Sequence, residues 1–418
     1  KLLWTFTHDN LGLTAVYPAP VRIGPSIYNP GTYFVILGSG PTDYDGTSTQ
    51  QGKIFALKIS GGTNGVISSW TAGTNYWESG VDFLKGGANV AIDNYAFMAD
   101  DPAGIDVDWD FSADVMYAGN TYCDNPIAVS NPEACSSSNW KGKMYRIATR
   151  TSAGTQPSAN PADWTLTVLF DSQLPVNPLS VNDPPGQPVT GAFNAAKDLN
   201  GNLWIFFGAG RFLHSDDRTL DSTESWNFYG IKDTCRPWLD PNNAACFTPI
   251  TISDLYNSTS VDVCLTGTIT SCPSVYGTPD LWANIIANAG LKKGWYLELP
   301  DTGERALSRP IVIGGLVVWP TYSPTNDPCA LEGTSKLYGT YYETGTAYYK
   351  YVFDQTGSTV LRSINVGVGV PASVGGVVTG ENSIKVLLPT STNTIYEITP
   401  DTPFKLTSGL LGWRKGCQ

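Results

Sequence analysis

A short pattern that recurs five times along the chain constrains its fold more than any other feature. Turn residue, polar, aliphatic, aromatic is read in Gly52-Lys-Ile-Phe-Ala-Leu57, Gly142-Lys-Met-Tyr-Arg-Ile147, Gly201-Asn-Leu-Trp-Ile-Phe206, Ser335-Lys-Leu-Tyr-Gly-Thr340 and Asn393-Thr-Ile-Tyr-Glu-Ile398. Alternating aliphatic and aromatic residues behind a turn residue are strand signals. Upstream of most copies lies another strand-like run ending in small residues, at Tyr33–Gly40, Val115–Asn120, Leu316–Pro324 and Lys385–Thr392, so each pair predicts a β-hairpin. An earlier run bounded by proline and glycine also recurs, at Pro20–Gly24, Pro188–Gly191, Pro310–Gly314 and Pro371–Gly375. A sheet of three or four strands has two apolar faces and cannot bury both by itself. Repeated along one chain, such units predict blades packed face to face around an axis.

The expected fold is therefore all-β, a modified β-propeller formed by residues 1–418 as one domain. The five copies start 90, 59, 134 and 58 residues apart, so insertions or degenerate blades must intervene. Anywhere from about five to eight blades is compatible with that spacing. The largest irregular stretch, 233–293, holds four cysteines and several prolines. It reads as a disulfide-stapled insertion within the propeller, because about 60 residues make a thin core. Inside it, Thr278 as N-cap, Pro279 at the first helical position and a closing Gly290 predict a short helix.

Eight cysteines stand at 123, 135, 235, 246, 264, 272, 329 and 417, and none forms a C-x-x-C pair. An even number at such spacings reads as disulfides rather than zinc ligands. Local pairing gives 123 with 135, 235 with 246 and 264 with 272, leaving 329 for 417. No apolar run approaches the ~18 residues of a membrane span; the longest, Pro310–Pro320, reads as two strands around Gly314-Gly315. No signal peptide opens at Lys1. An oxidising compartment then implies a processed or truncated product whose export signal, with room for further domains, lay upstream.

The net charge of -12 leaves no basic stripe for phosphates or an anionic membrane surface. Asp outnumbers Glu 28 to 9, and short carboxylates suit turns and hard-cation sites. They concentrate in Asp106-Val-Asp108-Trp-Asp110-Phe-Ser112-Ala-Asp114, with carboxylates at loop positions one, three, five and nine. This is the oxygen-ligand spacing of an EF-hand-like calcium loop, with Asp106, Asp108, Asp110 and Asp114 as side-chain ligands and the Ser112 carbonyl at position seven. Two unit charges ~4 Å apart repel by about 4 kcal/mol at an effective dielectric near 20, so four carboxylates call for a counter-ion. Position six is Phe111 rather than Gly, and position twelve is Tyr117 rather than Glu.

The loop, followed by Val115-Met-Tyr-Ala-Gly119 and Gly142-Lys-Met-Tyr-Arg146, resembles the C-terminal domain of the PilY family of type IV pilus biogenesis and tip-adhesin proteins. Segments along nearly the whole chain share the resemblance: Leu2–Phe6 with Leu11-Gly12, Phe207–Arg211 through Asn227–Asp233, Gly294–Pro300 with Gly303–Arg305, Pro320–Gly333, and Gly412-Trp-Arg414. The resemblance implies a propeller of about seven blades. It also implies an extracellular place at the pilus tip after export through the periplasm, and minor pilins as partners, with host or abiotic surfaces as further ones. Calcium in the loop would then bear on the balance of pilus extension and retraction, on adhesion and on twitching motility, with no enzymatic activity. No Arg-Gly-Asp sequence occurs, so an integrin-type motif is not carried over.

Two other classes compete. A quinone-dependent dehydrogenase also combines a Trp-rich propeller with calcium, but there the ion touches the cofactor in the central channel. Here the candidate site is contained in one loop, and no adjacent Cys-Cys pair occurs. A carbohydrate- or surface-binding propeller unrelated to pili would share the composition but lack the segments at 207–233 and 294–305. Hydrolytic chemistry has little to stand on, since the histidines are His8 and His214, the latter beside Asp216 and Asp217.

Overall fold

A computed structural model describes residues 2–24, 31–60, 66–82, 92–124, 140–172, 187–213, 215–218, 225–269, 272–325, 332–350, 352–380 and 383–404. Each recurrent hairpin of the sequence seeds one sheet. The first blade is β1 (Ala19–Ile23), β2 (Thr32–Gly38), β3 (Ile54–Lys58) and β4 (Tyr76–Glu78), paired antiparallel in that order. The second holds β5 (Ala96–Met98), β6 (Ala103–Ile105), β7 (Val115–Cys123), β8 (Trp140–Lys141), β9 (Lys143–Ala148) and β10 (Thr165–Asp171), built around β7 and β9.

In the third blade, β11 (Asn194–Lys197), β12 (Leu203–Gly208) and β13 (Asn227–Asp233) run antiparallel. The chain then passes through β14 (Ile250–Thr251), β15 (Tyr256–Asn257), β16 (Val261–Val263), β17 (Thr278–Asp280) and helix α1 (Trp282–Gly290) before β18 (Gly294–Glu298) pairs with β13. The fourth blade is β19 (Ile311–Ile313), β20 (Leu316–Ser323), β21 (Thr334–Tyr341) and, after the ribbon of β22 (Asp354–Thr356) and β23 (Thr359–Leu361), β24 (Ser363–Val368). The last is β25 (Gly375–Gly380), β26 (Ser383–Pro389) and β27 (Ile395–Ile398). The result is a modified β-propeller with five sheets of three to seven strands among the described residues.

Consecutive blades share cores. Phe34 and Ile54 of the first blade meet Met116 and Ile147 of the second, and Val115 and Phe170 meet Ile205 and Tyr229 of the third. Trp319 of the fourth blade lies stacked between Phe228, 3.9 Å away, and Tyr338, 4.2 Å away. Leu316 and Leu337 pack with Ile384 and Leu388 of the last. The two-residue turn between β19 and β20 places Gly314 and Gly315 at φ 57° and 86°, the left-handed region where a Cβ is costly.

The stretch between Asp233 and Gly294 laces blades together. β14 adds to β10 and β15 to β18, both in parallel. The Cys235–Cys246 and Cys264–Cys272 bridges are formed as expected. Cys123 is also disulfide-bonded; Cys135, Cys329, Cys417, His214 and Gly412-Trp-Arg414 lie outside the described residues. At its root, Arg146 Nη1 sits 2.7 Å from Asp233 Oδ1 and its Nη2 donates to the Cys246 carbonyl, while the Tyr117 hydroxyl donates to the other Asp233 oxygen. A buried pair with this many hydrogen bonds ties β7, β9 and β13 to the disulfide loop.

Three expectations are corrected. The helix starts at Trp282, with Leu281 as N-cap, because Thr278–Asp280 is drawn into a parallel pairing with β16; strand pairing wins over the local cap signal. The Pro188–Gly191 run is not a strand: Gly191 passes against the backbone of Ala306 and Leu307, and the inner strand begins at Asn194. Pro371 likewise forms an isolated bridge, with the strand starting at Gly375.

Asp198 caps the β11–β12 hairpin, accepting from the Asn200 and Asn202 amides, the Asn202 side chain and the Trp204 indole. Burial would raise its pKa, but the hydrogen bonds from Asn202, Trp204 and Asn200 outweigh it and hold the carboxyl below the usual range. A depressed folded pKa means stability present above the unfolded value near 3.8 and lost as pH falls through the folded one. Asp198→Ala should cost about 1.5–3 kcal/mol at neutral pH and less at acid pH, read from urea unfolding midpoints between pH 7 and 3.

Candidate metal centre

The aspartate-rich segment is the nine-residue loop that joins β6 to β7. Ile105 pairs with Val115 across the hairpin, and the Asp114 amide donates to the Ile105 carbonyl, closing the loop at its base. Inside, Asp106 acts as the organiser. Its Oδ1 accepts from the amides of Trp109 (2.7 Å) and Asp110 (3.2 Å), and its Oδ2 from that of Phe111 (2.7 Å). Asp110 Oδ1 accepts from the Ser112 amide at 2.8 Å, and Asp114 Oδ2 from the Val107 amide at 2.8 Å. Aspartates bonding to amides a few residues along wind the loop tightly.

The winding converges three carboxylates. One oxygen each from Asp106, Asp108 and Asp114 lies within 4.8 Å of the others. Bonds of about 2.3–2.6 Å to a hard cation fit between oxygens so spaced, and an all-oxygen donor set suits such an ion. The three could hold a metal ion. Asp110 is not in this group; its carboxylate faces its own loop. Ser112 is fully buried, and its hydroxyl accepts from the Gly24 amide at 3.0 Å.

Charge at the site is strained in a readable way. Asp114 is fully buried, and desolvation pushes its pKa up despite the nearby Arg150 and the Val107 amide. Desolvation also raises Asp110, helped by the charges of Asp108 and Asp106. Positive groups from three blades answer this. Arg22 of β1 donates to the Phe111 carbonyl at 2.5 Å, and Lys197 of β11 to the Val107 carbonyl at 3.1 Å. Arg150 bridges Asp114 and Asp108, its Nη2 standing 3.1 Å from Asp108 Oδ2.

Arg150 was not singled out by sequence reasoning. It stands 36 residues from Asp114, and no local spacing links the two. The link is made by the β7–β9 register, Val115 opposite Ala148, which brings Thr149 and Arg150 beside Asp114. Thr149 seals the junction by donating its hydroxyl to the Ala113 and Asp114 carbonyls, 2.8 Å each.

Phe111, the departure at loop position six, adopts φ 68°, the left-handed conformation that a glycine there would take freely; Trp109 does the same at 66°. Both rings point outward, 63% and 79% exposed, so their packing repays little of the strain. His8 proves to be a packing residue, stacked on Phe6 and set against Phe55 and Tyr76 on the outer face of the first blade.

In the presence of a chelator, Asp106→Ala should destabilise the protein by about 1–3 kcal/mol, because three loop amides lose their acceptor. Phe111→Gly should instead be neutral or stabilising by up to about 1 kcal/mol, since glycine relieves the positive φ but costs unfolded-state entropy. Denaturant melts of the two variants check both signs.

No family model matches the chain. In sequence it is similar to a type IV pilus biogenesis factor PilY1 homolog of Xylella fastidiosa, 28% identical over 187 residues, which is 43% of this chain and 11% of that protein. It is also similar to the type IV pilus biogenesis factor PilY1 of Pseudomonas aeruginosa PAO1, 29% identical over 169 residues, 38% of this chain and 14% of that protein. The matches therefore cover less than a sixth of the length of these relatives. Among solved structures, the P. aeruginosa PilY1 C-terminal domain superposes with a TM-score of 0.59 at 16% identity, covering 96% of this chain and 76% of that one. The chain thus shares the fold of the PilY1 C-terminal domain and is similar in sequence to PilY1 pilus biogenesis factors, as its sequence motifs had suggested.

Proposed function

We propose that this chain is the calcium-binding, non-enzymatic propeller of a type IV pilus biogenesis factor, exported through the periplasm and carried at the pilus tip with minor pilins. The convergence of Asp106, Asp108 and Asp114 in one closed loop carries the reading, in a chain similar to PilY1. In this reading those three carboxylates are the primary ligands; the Ser112 carbonyl is proposed to add to them, and Asp110, which stands outside the converging three, would have to turn in from the Ser112 amide to join the shell. Calcium would supply the double positive charge that the loop lacks, and the chain's own residues would do the rest. Asp106 sets the winding of the loop, Asp114 roots it in β7, and Thr149 joins it to β9. A surface whose shape depends on the ion would then take part in the balance of pilus extension and retraction, in adhesion and in twitching.

Among the described residues no helix is long and apolar enough to cross a membrane. Display on a filament would therefore draw on partner proteins or on parts of the molecule outside these residues.

Purified protein should bind about one calcium per chain, and calcium at a hundredfold excess over Kd should stabilise it by about 2.7 kcal/mol over chelator-treated protein. Asp114→Ala should abolish both effects. A calcium-independent melt, or intact binding in Asp114→Ala, contradicts the site. Fluorescently labelled protein should sit at filament tips and co-purify with minor pilins; a uniform cytoplasmic signal contradicts the pilus assignment.

A further inference from the structure

A cation entering the loop would not find its carboxylates free. Arg150, with a side chain 7% exposed, spreads its guanidinium over both Asp114 and Asp108. Nε stands 3.2 Å from Asp114 Oδ1 and Nη2 binds that same oxygen, while Nη2 also reaches Asp108 Oδ2. Nη1 donates to the Thr155 carbonyl, so the fork is anchored at both ends. The other Asp114 oxygen is already engaged by the Val107 amide. Two of the three converging carboxylates are thus bridged by one positive group that belongs to the protein.

We infer that Arg150 is an intramolecular counter-ion that competes with calcium for Asp108 and Asp114, and so sets the affinity of the site. The inference rests on the calcium reading of the loop. Its physical content is that ion binding is an exchange of positive charges rather than the filling of an empty cage. With the loop ion-free, Arg150 prevents repulsion among the aspartates from opening it. When calcium enters, the ion and the guanidinium contend for the same oxygens, and part of the binding free energy goes into moving Arg150 off them.

Its release has somewhere to act. Arg150 holds the turn 151–155 through the Thr155 carbonyl, and that turn is mostly exposed, with Gly154 at φ 72° and nothing within 4 Å of where a Cβ would stand. The Thr151 carbonyl in the same turn accepts from Asn242 of the disulfide-stapled stretch at 3.1 Å. The exchange therefore couples ion occupancy to the contact between the turn and Asn242.

Arg150→Gln, which removes the charge but keeps a hydrogen-bonding amide, and Arg150→Lys, which keeps the charge without the fork, separate the possibilities. Calcium chloride titrations by calorimetry should show Arg150→Gln binding about tenfold tighter than wild type, within the usual range of coupling between competing interactions. Arg150→Lys should stay close to wild type. In chelator Arg150→Gln should melt below wild type, and the gap should close in saturating calcium. The melts also verify that each variant folds. Equal or weaker binding by Arg150→Gln, with wild type still binding, overturns the inference and leaves the calcium reading standing. Absence of binding by wild type and both variants overturns the calcium reading, and the exchange falls with it.

Discussion

A small β-sheet with two apolar faces cannot keep water from both by itself. Everything in this molecule follows from that constraint. The large cores are shared between neighbours: Phe34 is buried against the second blade, Phe170 against the third, Trp319 against the third from the fourth, and Ile384 against the fourth from the last. Since burial of large side chains is the dominant favourable term, the stability of each sheet is held jointly with its neighbours. Loops at the sheet ends are then fixed in place by several blades at once. The Asp106–Asp114 loop shows the consequence, with Arg22, Arg150 and Lys197 reaching it from three different blades.

That arrangement allows a fully buried carboxylate to survive. Asp114 stands immediately before β7, where a strand of the second blade begins its run of buried residues. An unpaired charge there would be severely destabilising, and the protein meets it with a backbone amide, a guanidinium and, as proposed here, a divalent cation in exchange. Asp106 works differently: its oxygens are spent on three amides of the loop, which makes it a geometric element before it is a ligand. Within one run of alternating aspartates the structure thus separates a winder, a bridging pair and, in Asp110, an outlier.

Much of this was legible in the sequence because it is local. The five turn-aliphatic-aromatic runs are strands β3, β9, β12, β21 and β27, since a short run of aliphatic and aromatic residues behind a turn residue is a sufficient local signal, even in the partly exposed β27. The aspartate spacing likewise located the loop, and two cysteine pairs at short separations closed as expected. What was not legible depends on pairing between distant segments. Arg150 joins Asp114 because of a strand register, and Thr278–Asp280 extends instead of capping a helix because β16 lies alongside. Gly191, after Pro188, runs against the Ala306–Leu307 backbone, and Pro371 pairs only through an isolated bridge to Thr390, so both prolines precede their strands. Phe111 reads as an obstacle to the turn, yet its backbone takes the glycine conformation while the ring stays in solvent, a compromise no residue preference foretells.

A crystal structure grown in calcium, with anomalous data collected to identify the ion, tests the central claim most directly. The account predicts a peak among Asp106, Asp108 and Asp114 with oxygen distances of about 2.3–2.6 Å, and Arg150 drawn away from Asp108 and Asp114. A carboxylate cluster without an anomalous peak, still bridged by the Arg150 guanidinium at saturating calcium, would contradict it.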